Sequence, residues 1–176
     1  MFGSHKYNII ITPAVNVYNF SCVDNVKIIK NGIPLILKSV TNNSDKSANV
    51  MLTDNSGDYD VDVSCGSTYN NDWYRISNIF SDINTWQSGD GGTSVYLNFE
   101  MPLLSEIYFY ASRNTNESDN SWSQAKSCKI KVLCDDNVIL NTNLENLKWR
   151  DRIRIIFDEY DKCHTSVINI GPTENI

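Results

Sequence analysis

The chain has 176 residues, of which 41% are hydrophobic and 20% charged, with a formal net charge of −6. That length and apolar content suit one well-cored domain over residues 1–176 and leave too little for two. The acidic balance argues against a nucleic-acid partner, which needs a basic patch to meet phosphates. No apolar run reaches the roughly 18 residues that membrane insertion requires, and the opening Met1 to Lys6 lacks the apolar stretch of a secretory signal.

In chain order, Tyr7 to Ile11 reads as a strand closed by Thr12-Pro13. Asn25 to Ile29 and Leu35 to Val40 flank Asn31-Gly32, a hairpin turn in which both residues tolerate positive φ. Thr41 to Asn49 is polar and reads as a loop. Trp73 to Phe80 suits a short helical turn, and Ser94 to Phe99 alternates with the period of a strand. Glu106 to Tyr110 follows, then a long polar stretch from Arg113 to Ser127. Lys129 to Leu133 and Val138 to Leu140 are joined by the turn Cys134-Asp135-Asp136-Asn137. Arg152 to Phe157 and Thr165 to Ile170 complete the set. No apolar stripe of helical period runs for three turns, so the pattern predicts an all-β sandwich or barrel with antiparallel pairing.

The five cysteines are scattered and odd in number, which favours free, buried thiols and synthesis in a reducing cytoplasm. Cys128 and Cys134 share one parity on a strand and are expected to face the core together. The mixed-sign run from Lys148 to Arg154 reads as a solvated strand face.

Motifs for catalysis are missing. There is no Gly-x-Ser-x-Gly elbow, no His-Glu-x-x-His and no glycine-rich phosphate loop. Of the two histidines, His5 falls in Gly3-Ser4-His5, which reads equally as a cloning remnant. His164 follows Cys163 directly, and neighbours on a strand point to opposite faces. The expectation is a protein that is not an enzyme.

Binding has better material in four Trp and nine Tyr. Sugar sites pair an exposed aromatic face with amide or charged side chains. Trp122, inside the polar stretch with Asn114, Asn116 and Asn120, reads either as a ligand platform or as a loop anchor. Trp86, before the Gly89-Asp90-Gly91-Gly92 turn, reads first as a core residue, with ligand contact as the alternative. Trp73 and Tyr74 read as packing. Asp82 and Asn84 offer oxygen ligands to a structural calcium ion or form a plain Asx-turn. No other cofactor is implied.

The order of these pieces carries a resemblance. Asn78 to Gly89, with Asp82, Asn84, Trp86, Ser88 and Gly89, precedes strands at Val95 to Phe99 and Ile107 to Tyr110. Gln124-Ala125-Lys126, a strand, then Cys134-Asp135-Asp136-Asn137 follow. Over roughly residues 60–170 this resembles the discoidin, or coagulation-factor type-C, family. The resemblance implies a galactose-binding-like jelly roll, a β-sandwich of two antiparallel sheets with binding loops at one end. It places Arg113 at the position of a sugar-contacting arginine and makes Trp86 chiefly structural. The family's Asp-Gly-Asn is Ser81-Asp82-Ile83-Asn84 here, and its proline after Ala125 is Lys126.

The expected function is therefore a non-catalytic module that binds a cell-surface glycan, in a phage or tailocin tail or receptor-binding protein. Arg113, Trp122, Asn114, Asn116, Asn120 and Trp86 form its expected contact set. Such a protein is made in the cytoplasm, acts on the virion or outside the cell, and contacts other tail proteins or further copies of itself. The alternatives are a structural assembly protein of a virion or baseplate and an accessory module of a secreted glycoside hydrolase.

Overall fold

A computed structural model describes residues 3–14, 20–70, 73–112, 125–148, 150–158 and 165–172, the last segment as backbone only. Its strands are β1 (His5–Pro13), β2 (Cys22–Lys30), β3 (Ile33–Pro34), β4 (Ile36–Asn42), β5 (Ser47–Asp54), β6 (Gly57–Cys65), β7 (Trp86–Gln87), β8 (Val95–Met101), β9 (Leu104–Tyr110), β10 (Cys128–Cys134), β11 (Asn137–Leu144), β12 (Asp151–Phe157) and β13 (Thr165–Pro172). A 3₁₀ turn, Ile76–Phe80, is the one helical element among the described residues.

The strands form two antiparallel sheets. The larger runs β11-β10-β1-β8-β6-β5-β4, and the smaller runs β13-β12-β9-β2-β3, with β7 attached to β2. Alternation of side chains fixes which face is buried. In β1, Tyr7, Ile9 and Ile11 point inward while Lys6, Asn8 and Ile10 lie on the outer face. In β8, Val95, Leu97, Phe99 and Met101 do the same against Tyr96, Asn98 and Glu100. Inward residues of both sheets join one hydrophobic cluster, with Ile9, Val63, Leu97 and Ile130 from the larger sheet and Ile28, Ile107, Phe109 and Ile155 from the smaller. Each such burial stabilises by about 1.5–3 kcal/mol, so this shared cluster holds the sheets face to face.

The Asn31-Gly32 turn forms as the sequence predicts, with φ of 49° and 77°. Its return strand does not continue as expected. Only Ile33–Pro34 pairs with β2. Pro34 has no N–H to extend a ladder. Leu35 donates its N–H to the Ile28 carbonyl at 2.9 Å, and the chain then crosses to the larger sheet, where β4 pairs with β5. The polar stretch 41–49 is likewise mostly strand. Thr41 and Asn42 end β4, Ser47 to Asn49 open β5, and a turn over 43–46 lies between them. Its Asn43 and Ser44 N–H groups both reach the Ser47 carbonyl, at 2.9 and 3.0 Å.

The run from Lys148 to Arg154 is not a plain solvated face. Arg152 is buried with its guanidinium 4.7 Å from the Tyr108 ring centre, and Arg150 lies 4.8 Å from that of Tyr110. Arg154 grips Glu106 with two donors, one of them Nη2 to Oε2 at 2.8 Å. Cys22, Cys65, Cys128 and Cys134 are buried thiols.

Candidate functional site

Strand directions sort the connections between the two ends of the sandwich. Residues 14–21, 66–94, 111–127 and 145–150 connect strands at one end. At the other end the described connections are short, over 31–32, 55–56, 102–103 and 135–136. The first is the loop end and the second the turn end.

The loop end carries an aromatic cluster. The Tyr69 ring meets Phe20 edge-on at 5.0 Å and Tyr74 at 5.8 Å. Tyr69 is 53% exposed and Trp73, the chain neighbour of Tyr74, 78%. Each of these rings leaves a large apolar face hydrated, with a polar edge beside it.

The backbone beneath the cluster is tightly held. Tyr69 donates its N–H to the Gln87 carbonyl at 2.8 Å. The Ser67 carbonyl accepts the Trp86 Nε1–H and the Cys65 thiol, both at 3.3 Å. Ser67 Oγ accepts the N–H groups of Gly89 and Asp90 at 3.2 and 3.3 Å. Gly89 passes so close that a Cβ there would stand 3.0 Å from the Thr68 carbonyl oxygen. Thr68 Oγ1 in turn donates to Asp45. Trp73 donates its N–H to Asn70 at 2.9 Å, and its carbonyl accepts Asn78 Nδ2 at 2.9 Å. These bonds fix the main chain of Trp73 and leave its indole outside.

One carboxylate underlies this arrangement. Asp24 is fully buried in β2 and accepts the Trp86 N–H at 3.0 Å and the Thr85 hydroxyl. Burying a carboxylate is costly unless such donors meet it, so the pair of bonds locks β7 against β2. Trp86 is thereby a supporting residue.

Of the residues expected to contact ligand, Arg113, Asn114, Asn116, Asn120 and Trp122 lie outside the described residues. Ala111 and Ala125, on either side of that segment, are joined by an N–H to carbonyl bond of 3.0 Å at the loop end. Trp86 does not offer a ligand face, since its side chain is fully buried. The residue with that face is Trp73, expected as packing. The turn expected to offer calcium ligands holds Asp82 and Asn84. Asp82 is the turn's one carboxylate, and Lys27 Nζ already lies 2.8 Å from it. The N–H groups of Ile83 and Asn84 go to Ser81 Oγ, at 3.2 and 2.9 Å, so a serine rather than an Asx side chain shapes the bend.

A second concavity lies on the outer face of the larger sheet. This open groove of about 490 Å³ takes Asp58, Asp60 and Asp62 from β6, Asn98 and Glu100 from β8, and Lys6 from β1. All four carboxylates are exposed. Lys38, 2.5 Å from Asp58, holds that carboxyl below its ordinary range, with help from the Thr53 hydroxyl. A glycosidase acid needs a carboxyl kept protonated by shielding from water, and this face supplies no such shielding.

Together these features define an all-β protein of two antiparallel sheets with a braced aromatic platform at one end. The chain is matched by no protein-family model, by no curated protein and by no solved structure.

Proposed function

We propose that this chain is a non-catalytic carbohydrate-binding module that takes a cell-surface glycan on the Tyr69–Trp73–Tyr74 platform. The observation that carries the reading is Trp73, 78% exposed on a backbone whose polar groups are already paired. An indole and a phenol offer flat apolar area with a polar edge, matching the C–H face and hydroxyl rim of a pyranose. A net charge of −6 disfavours polyanionic glycans, so the ligand is a neutral sugar. The galactose-binding-like jelly roll of the discoidin resemblance agrees with two antiparallel sheets carrying their long connections at one end. The proposed setting is a phage or tailocin tail, with synthesis in the cytoplasm and several copies displayed so that weak sites sum to useful avidity.

The test is a glycan array probed with the multivalent protein, followed by calorimetry on the best neutral hit. The Tyr69→Ala/Trp73→Ala double variant should bind at least tenfold more weakly, a loss of about 1.4 kcal/mol, with its thermal midpoint unchanged. Binding to no glycan, or equal binding by the variant, defeats the proposal.

A structural assembly role in a virion or baseplate is favoured by a different feature. Every residue of β4, an edge strand, is exposed, and Ile36, Leu37 and Val40 put apolar surface there. Such an edge is a template for pairing with another chain. Light scattering decides: concentration-dependent mass that Val40→Lys abolishes supports assembly, and a monomer at all concentrations removes it.

A further inference from the structure

At the turn end, far from the aromatic platform, three side chains of metal-ligating type converge. His5 opens β1, Cys134 ends β10, and Asp135 starts the turn into β11. One ligand atom from each lies within 4.8 Å of the other two. The strand register explains the meeting: Tyr7 pairs directly with Cys134, and His5 is two residues away on the same face of β1. Asp135 sits in the left-handed region at φ 49°, which turns its carboxylate back onto β1. There Oδ1 accepts the Lys6 N–H at 2.9 Å and Oδ2 lies 2.6 Å from His5 Nδ1. The Asp135 N–H returns a bond to the Lys6 carbonyl at 2.8 Å.

The His5–Asp135 contact alone would serve as a latch holding the first residues of the chain to the hairpin. Two further features exceed what a latch needs. A thiol stands beside the pair, although a small apolar residue would fill the same core position. The Tyr7 hydroxyl is buried next to it without a hydrogen-bond partner, an uncommon expense for a group that phenylalanine would omit.

We propose that His5, Cys134 and Asp135 form a zinc site, with Tyr7 as the supporting donor and one coordination position left to water. Imidazole, thiolate and carboxylate are the ligand types zinc takes. On binding, the Cys134 thiol releases its proton to solvent and no electrons move. Zinc then carries two charges against one thiolate and one carboxylate, so the half-buried site is neutral. With bonds of roughly 2.0–2.3 Å, ligand atoms in a tetrahedron stand about 3.3–3.6 Å apart. The His5–Asp135 contact therefore opens by about 1 Å from its present 2.6 Å. Oδ1 is kept by Lys6, which makes Asp135 a monodentate ligand through Oδ2. Tyr7 donates to the sulfur, and fixing a ligand in this way is what outer groups do around metals.

Cobalt(II) is the probe, because a bound thiolate gives it a ligand-to-metal charge-transfer absorption. The full chain in reducing buffer should bind one equivalent with that band, and zinc should displace it. His5→Gln and Cys134→Ser should each lower cobalt affinity at least a hundredfold, and Tyr7→Phe roughly 10–100-fold. Cys128→Ser and the double variant Cys163→Ser/His164→Gln, which removes the chain's other histidine, should keep the band. Zinc should raise the thermal midpoint of the wild type and not that of His5→Gln. If Cys134→Ser fails to fold, half-exposed His5 still decides the matter. No charge-transfer band, a band that survives His5→Gln, or one lost with Cys163 and His164 overturns the proposal. Glycan binding is read separately at the other end.

Discussion

The two ends of the sandwich use the same strands and opposite chemistry. At the turn end, side chains are consumed locally. Asp54 accepts the N–H groups of Ser56 and Gly57 at 2.8 and 3.1 Å and the Ser56 hydroxyl at 2.7 Å, while buried Lys30 reaches it at 3.1 Å. At the loop end, polar side chains such as Ser67 and Asn78 hold backbone, and the aromatic rings are left over. Aromatic surface able to meet a sugar is therefore concentrated where the connections are long and internally braced, in keeping with the general placement of function on loops over a rigid scaffold.

Substitutions can break this contrast, and the largest effect falls on the support. Trp86→Ala should cost about 3–5 kcal/mol in chemical denaturation, because it empties a fully buried site and strips the Ser67 carbonyl of a donor. Asp54→Asn comes next, at about 1–2 kcal/mol at neutral pH, since it weakens a charged acceptor of several bonds. The Ser56 hydroxyl above all, with the Ser56 N–H and Lys30, holds the Asp54 carboxyl down to about 2. A depressed carboxyl contributes in full above its unfolded value near 3.9 and loses that contribution as pH falls through about 2. Wild-type stability should thus drop between about pH 4 and pH 2 more steeply than that of Asp54→Asn, as followed by thermal midpoint. Gly89→Ala should cost about 1–2 kcal/mol by pressing on the Thr68 carbonyl, and should weaken glycan binding as Tyr69 shifts. Gly32→Ala, at φ 77°, should cost about 1 kcal/mol and leave glycan binding alone. Trp73→Ala should change stability by less than about 0.5 kcal/mol while carrying the binding loss. A Trp73→Ala protein that unfolds early would make that indole a structural residue and erase the contrast.

Much of the scaffold was legible because local rules and the fold agree. Asn31-Gly32 and Asp135-Asp136 lie where positive φ is needed, and β1, β8, β9, β10 and β12 follow their apolar runs. β5 and β6 went unread as strands. Their outward residues Asn49, Asp58, Asp60 and Asp62 are types depleted in strands, and they outweigh Val50, Leu52, Val61 and Val63 to the eye. The fate of Leu35 to Val40 was illegible because a chain switching sheets at Pro34 has the same local pattern as one staying. Which tryptophan faces water depends on contacts far along the chain. Trp86 is inside because Asp24, 62 residues away, accepts its N–H, and nothing near Trp73 announces that its indole stays out. The convergence of His5 with Asp135 spans 130 positions and exists only once β1 pairs with β10.

The interior thiols bear on how the protein survives a change of surroundings. Burial pushes Cys65 up to about 11 and Cys128 up to about 12. At neutral pH roughly one Cys65 in ten thousand is then a thiolate, the only form that attacks a disulfide or reacts readily with an oxidant. A protein made under reducing conditions and moved into air-saturated medium would keep both sulfurs as they were made. Their oxidation would then keep time with global opening of the sheets, and the rate of alkylation would serve as a clock for unfolding.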